Sequence, residues 1–295
     1  MAIFKGAGVA IVTPMKENEE VNYDKLEELV EWQIEQGTDA IVIVGTTGES
    51  STLTTEEHSD VIRAAVRFAK HRVPVIAGTG SNCTREAVHL SKEAEEAGAD
   101  GLLAVTPYYN KATQGGLIRY YTEIAEAVKL PIIMYNVPGR TGVNMTAETT
   151  LRIAREFDNV IAVKEASGNI TQMDDIIKNK PARFNVISGD DGITFPLMTL
   201  GAVGVISVIG NAFPREFSRM VRLALAGDYD SARTIHHSFT ELFSLLFVDG
   251  NPAGAKSMLN MMGFIENKLR LPLVPTRIVT YEKIREVLRQ LSIKC

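Results

Sequence analysis

Lys164 closes the apolar run Val160-Ile161-Ala162-Val163 and is followed by Glu165. An amine on or just above a buried strand loses hydration, which lowers its pKa and frees the lone pair needed to attack a ketone. The resulting iminium withdraws electrons, so the adjacent carbon can shed a proton and become an enamine nucleophile. Such chemistry requires neither metal nor organic cofactor. The competing reading is a surface lysine at a strand end, or one paired with Glu165. Tyr135 precedes the turn that carries Arg140, and both should face the same side. A phenol can relay a proton to an aldehyde oxygen or leaving hydroxyl, and a guanidinium can grip a carboxylate through two bonds. An aromatic plug and an acid-paired arginine are the structural alternatives. Gly45-Thr46-Thr47-Gly48-Glu49 adds two hydroxyls and compact backbone donors suited to a small carboxylate or phosphate. It lacks the lysine of a nucleotide-phosphate loop, and its threonines could equally cap the next helix.

Other residues carry less. His58, His71, His89, His236 and His237 lack metal-ligand spacing and fall mostly in helical patterns. Asp190-Asp191 reads as a cation site or a solvated turn. Tyr108 and Tyr109 are ambiguous, one suited to the pocket and the other to a subunit contact. Met258, Met261 and Met262 suit a helix-packing seam.

The elements that must position these groups alternate regularly. Short apolar runs at Val9 to Val12, Ala40 to Val44, Val73 to Ala77, Gly101 to Val105, Pro131 to Tyr135, Val160 to Lys164, Phe184 to Ser188 and Val203 to Val208 have the near-continuous character of strands covered on both faces. Helical patterns fill the gaps: Leu26, Leu29, Val30 and Ile34 share one face, and Val61, Ile62, Ala65, Val66 and Ala69 share another. Thr54 with Glu57 predicts a capping box, and Gly37 and Gly98 predict left-handed helix ends. Eight strand–helix units predict a (β/α)₈ TIM barrel of the α/β class, with the polar groups above collected at the strand carboxyl ends. The barrel is expected over 1–226, with its last crossover helix at 214–226. A C-terminal helical extension follows over 227–295, with helices at Ala232 to Val248, Ala253 to Met262 and Tyr281 to Leu291. Prolines in Gly250-Asn251-Pro252 and Leu271-Pro272-Leu273-Val274-Pro275 separate them.

The 295 residues are 45% hydrophobic, enough for one large core, and the formal charge of −5 is spread along the chain. A nucleic-acid surface would need a basic stripe, and none is present. Neither a secretory signal nor an 18-residue apolar run is found, so no membrane span is expected. With only Cys83 and Cys295, a reduced cytoplasmic protein is the simpler reading.

Gly45-Thr46-Thr47-Gly48-Glu49-Ser50, Thr106-Pro107-Tyr108-Tyr109-Asn110, Tyr135-Asn136-Val137-Pro138-Gly139-Arg140-Thr141-Gly142 and Val163-Lys164-Glu165, in that order and spacing, resemble the dihydrodipicolinate synthase family. That family belongs to the pyruvate-dependent class I aldolases, which also include N-acetylneuraminate lyase. The resemblance runs along essentially the whole chain. It implies a pyruvate Schiff base on Lys164 and a proton relay of Tyr135, Thr46 and Tyr109, with Tyr109 entering a neighbouring subunit's site. It further implies that Thr47 holds the pyruvate carboxylate, that Arg140 binds the carboxylate of L-aspartate 4-semialdehyde, and that the backbone of Ile206 lines the pyruvate pocket. Gly139 stands where some relatives carry serine. The implied reaction condenses the two substrates on the way to diaminopimelate and lysine, without a cofactor, in a homotetramer built as a dimer of dimers. Ser50, His58, Asn82, Glu86 and Tyr108 match the positions at which some relatives bind L-lysine as a feedback inhibitor. The alternatives are an aldolase acting on N-acetylneuraminate or a 2-keto-3-deoxy sugar acid, a noncatalytic barrel used in assembly, and a metal-dependent aldolase.

Overall fold

The computed structural model of the chain describes residues 2–291, so Cys295 lies outside the described residues. Eight strands form in the order expected: β1 (Gly6–Ala10), β2 (Ala40–Ile43), β3 (Val75–Gly78), β4 (Gly101–Val105), β5 (Ile132–Asn136), β6 (Val160–Glu165), β7 (Asn185–Ser188) and β8 (Gly204–Ser207). Each pairs in parallel with the next, and β8 returns to β1 to close the barrel. β1 begins at Gly6 rather than Val9 and stops at Ala10, although the apolar run continues. The reason is Asn211: its amide nitrogen donates to the Ala10 carbonyl at 2.8 Å and its oxygen accepts from the Val12 amide at 3.1 Å. A side chain thus takes over backbone groups that a strand neighbour would otherwise bond.

The two-residue period of the strands sorts their side chains. Ala10, Val42, Ile76, Ile133, Ala162, Ile187 and Ile206 fill the barrel interior. Val9, Ile41, Met134, Val163 and Val186 face outward and pack with the helices in the larger cluster. The same alternation turns Tyr135 inward with Ile133, and Asn136 outward with Met134. Hydrogen-bond register places Tyr135 opposite Lys164 and Asn136 opposite Glu165.

The helices obey their sequence signals. The helix Thr55–Ala69 opens with Thr54 accepting from the Glu57 amide at 3.2 Å while the Glu57 carboxylate accepts from the Thr54 amide at 3.0 Å, the expected reciprocal cap. Gly37 and Gly98 adopt φ of 89° and 84°, the left-handed turn that closes the preceding helices. The crossover after β8 is Pro214–Leu225. Beyond it, the helix expected over Ala232 to Val248 is two, Tyr229–Ser238 and Thr240–Leu245. Phe239 breaks it: its amide bonds back to His236 rather than to the Ile235 carbonyl of an unbroken helix, and the Ser238 and Thr240 hydroxyls bond to the carbonyls of Ile235 and His237. Hydroxyls that compete for carbonyls favour such an interruption. The helices Ala253–Met261 and Ile278–Gln290 follow; Met258 is fully buried, and Met261 and Met262 pack against the core. Among the described residues no helix is long and apolar enough to cross a membrane.

Candidate active site

A cavity of about 890 Å³ lies over the carboxyl ends of the strands, with Phe243, Phe247 and Asn251 of the C-terminal segment along one side. Lys164 and Tyr135 form its floor. Lys164 is 5% exposed, and its Nζ sits 4.3 Å from the centre of the Tyr135 ring. Gly189 permits this placement from the β7 side, since a Cβ there would come 3.0 Å from the Lys164 Cε. Neither Lys164 nor Arg140 takes part in an ion pair among the described residues. Both acid-paired alternatives therefore fail. Glu165 instead faces outward and is bonded to Asn136, Ser167 and Gln172.

Burial dominates the electrostatics of the floor. It brings the Lys164 ammonium down to about 7; the Asp191 carboxylate opposes that shift and the Arg140 guanidinium adds to it. Desolvation pushes the Tyr135 phenol up to about 12, although Arg140 and a hydrogen bond with Thr46 pull the other way. The amine is thus available as a nucleophile near neutrality, and the phenol keeps its proton and can donate it.

Thr46 and Thr47 reach the cavity from the turn after β2. Thr47 is buried and its hydroxyl accepts a 2.9 Å bond from the Asn251 side chain. The hydroxyl proton of Thr47 is left for another acceptor. Neither the Thr46 nor the Thr47 amide donates to a protein acceptor among the described residues. Two hydroxyls and two free amides on one turn suit an incoming carboxylate. Arg140 lies in the helical turn Pro138–Thr141 at the rim, exposed and facing the same cavity.

Other expected residues fall in different places. Ser50, His58, Glu86 and Tyr108 line the far end of the same cavity, whereas Asn82 does not line it and offers its carbonyl to the Asn110 side chain. His58 is buried with Nε2 2.8 Å from the Gly78 carbonyl, and burial lowers its pKa. Ile206 sits in the barrel interior rather than in the cavity wall. Tyr109 is 87% exposed and outside the cavity of its own chain.

Asp191 corrects the reading of the Asp190-Asp191 pair as a solvated turn. Asp190 caps the helix Asp191–Thr199, but Asp191 is buried and accepts from the Val208 and Ile209 amides at 3.0 and 2.8 Å. Burial raises its carboxyl to about 6. No local signal marks it, since the acid pairs Glu27-Glu28 and Asp174-Asp175 are exposed.

The sequence profile of the dihydrodipicolinate synthetase family matches residues 3–291. The chain belongs to that family. It is 76% identical over 291 residues to the 4-hydroxy-tetrahydrodipicolinate synthase of Parabacteroides distasonis, covering 99% of this chain and 98% of the relative. The crystal structure of dihydrodipicolinate synthase from Aquifex aeolicus superposes with a TM-score of 0.97 at 47% identity, covering 99% of both chains. The chloride-inhibited dihydrodipicolinate synthase of Acinetobacter baumannii, solved with pyruvate, matches with a TM-score of 0.96 at 47% identity, over 98% of this chain and 99% of that one.

Proposed function

We propose that this chain is a 4-hydroxy-tetrahydrodipicolinate synthase, which joins pyruvate to L-aspartate 4-semialdehyde through a Schiff base on Lys164. The observation that carries this reading is an unpaired, buried amine brought to about 7 beside a protonated phenol, on the floor of a cavity rimmed by Arg140. The Lys164 amine attacks the pyruvate ketone carbon, and the carbinolamine loses water to give the iminium. Loss of a methyl proton yields the enamine, whose carbon bonds to the aldehyde carbon. Tyr135 supplies a proton to the new alkoxide, and Thr46 and a partner's phenol at the Tyr109 position replenish it. The substrate amine then attacks the iminium carbon, closes the ring and expels Lys164. Thr47 with its neighbouring amides holds the pyruvate carboxylate.

Arg140 favours this aldehyde over sugar acids, because a guanidinium fork fits a short carboxylated chain better than a row of hydroxyls. It separates this reading from N-acetylneuraminate or 2-keto-3-deoxy sugar acid cleavage. We assign the barrel to 1–226 and the helical extension to 227–295, the working assembly to a homotetramer of two dimers, and the compartment to the cytoplasm. L-lysine is proposed as an inhibitor bound by Ser50, His58, Glu86 and Tyr108 at the cavity's far end, with Asn82 outside its wall. A rate unchanged by millimolar lysine at subsaturating pyruvate would remove that inhibitory role and leave the catalytic reading intact.

Borohydride reduction in the presence of pyruvate, followed by peptide mass measurement, tests the central claim. The reduced adduct is expected on Lys164. An active enzyme that carries no adduct, or carries it elsewhere, rejects the mechanism.

A further inference from the structure

Lys256 is, with Lys164, one of two buried lysines among the described residues, and it lies away from the cavity wall. It forms an ion pair with Glu49, both side chains being 0% exposed, and donates to the Lys268 carbonyl at 2.8 Å. The other Glu49 oxygen accepts from the Arg270 amide at 3.2 Å. Arg270 in turn grips Glu57 with both terminal guanidinium nitrogens and bonds to the Thr52 carbonyl at 3.0 Å. Charges so deeply buried are costly unless paired, and removing one partner leaves the other uncompensated.

The position of Glu49 gives this pair a consequence for the site. Glu49 follows Thr47 by two residues and adopts φ 58°, a left-handed conformation uncommon for a residue with a side chain. Lys256 follows Asn251 by five residues, and Asn251 is the donor to the Thr47 hydroxyl. The C-terminal segment therefore holds one short turn at two points: Asn251 on Thr47, and Lys256 on Glu49. From below, the Thr13 hydroxyl donates to the Gly48 carbonyl at 2.7 Å, which fixes the residue between them.

We infer that Glu49, Lys256 and Asn251 are positioning residues: the C-terminal segment clamps the Thr46–Thr47 turn in the orientation that receives the keto acid's carboxylate. The inference rests on the proposed reading, in which that turn binds pyruvate. It makes the extension a working part of the substrate site, since Lys256 cannot itself reach a ligand. Loosening the clamp should weaken pyruvate capture while leaving the Lys164 amine and the aldehyde's anchor at Arg140 in place.

The test is the pyruvate concentration that gives half-maximal borohydride trapping, measured on the intact enzyme and on Asn251→Ala, Lys256→Met and Glu49→Gln. Glu49→Gln keeps shape and hydrogen-bonding capacity, and serves where Lys256→Met does not fold. Unfolded protein lowers the amplitude of trapping but does not move its midpoint, so the midpoint separates positioning from bulk stability. Loss of the single Asn251 bond should raise the midpoint roughly fivefold, and a folded charge variant should raise it at least as much. The KM for the aldehyde should stay near the wild-type value in all three. An unmoved midpoint in the folded charge variant overturns the clamp, even if Asn251→Ala responds, because Asn251 would then act alone. A wild-type enzyme that traps no pyruvate overturns the underlying reading, and the clamp with it.

Discussion

Lys164 has been moved by its surroundings from an ordinary 10.5 to about 7, and this sets both a pH profile and a stability cost. The free amine is the nucleophile, so the rate of Schiff-base formation should climb as pH rises towards 7 and level off above it. Stopped-flow or quenched trapping between pH 5.5 and pH 9 would read that midpoint (a range of about this width spans the transition). A profile still rising at its alkaline end would show an unshifted amine. The unfolded chain keeps this proton up to about 10.5 while the folded chain releases it near 7. Stability from this group is therefore least below pH 7 and recovers as pH rises between those values. Lys164→Met should accordingly abolish turnover yet raise Tm by several degrees at neutral pH, through relief of a penalty on the order of a few kcal/mol. Calorimetry of the inactive variant checks it. Arg140 acts at the same scale. Its charge lowers both Lys164 and Tyr135, so Arg140→Ala should impair use of the semialdehyde and also move the pH midpoint of trapping upward. Unchanged semialdehyde preference would contradict its role in substrate choice.

At the scale of elements, the two strands that carry the reactive pair are joined on the outer face of the barrel as well as through their ladder. The Asn136 amide donates to both Glu165 oxygens at 3.1 Å, and its own oxygen accepts from the Met145 amide at 2.9 Å. Glu165 further accepts from the Ser167 amide and the Gln172 side chain. Each of these outward residues is the immediate neighbour of an inward reactive one, so the network holds the β5 and β6 ends in the register that sets Tyr135 against Lys164. Glu165→Ala removes the acceptor shared by Asn136, Ser167 and Gln172, of which Asn136 and Gln172 still reach Asn144, and should cost about 1 to 2 kcal/mol, measured by denaturant unfolding, with turnover falling further than the folded fraction does. If turnover per folded molecule were unchanged, the network would serve stability alone. What is legible in the sequence follows the same division. Lys164, Tyr135 and Arg140 announce themselves because they end apolar runs or follow them, and a strand's two-residue period fixes which side they face. Contacts between distant segments leave no such mark. Asn211 replacing a strand neighbour at Ala10, Asp191 finding the amides after β8, and Asn251 meeting Thr47 depend on barrel closure and on where the tail comes to rest. The glycines of Gly6-Ala7-Gly8 hid the start of β1, since strand signals come from β-branched side chains. The break at Phe239 was hidden because hydroxyls that interrupt a helix also occur within helices.

At the scale of the whole molecule, one residue of the implied relay is out of place in a single chain. Tyr109 is 87% exposed and its backbone sits at φ 73°, while its neighbour Tyr108 faces the cavity. A large aromatic presented this way on a turn suits insertion into a second copy, which is how the proposed dimer would complete each relay. Subunit mixing can separate a phenol acting across the interface from one acting within its own chain. Lys164→Ala should be inactive and Tyr109→Phe strongly impaired. In a mixed dimer, the site with an intact lysine would receive its phenol from the partner that lost the lysine, and so would work; the other site would lack both. Random exchange makes half the dimers mixed, so recovery should approach about a quarter of wild-type activity. Activity that never exceeds the sum of the two separate variants would place the phenol's action within one chain, and the dimer would then be dispensable for the proton relay.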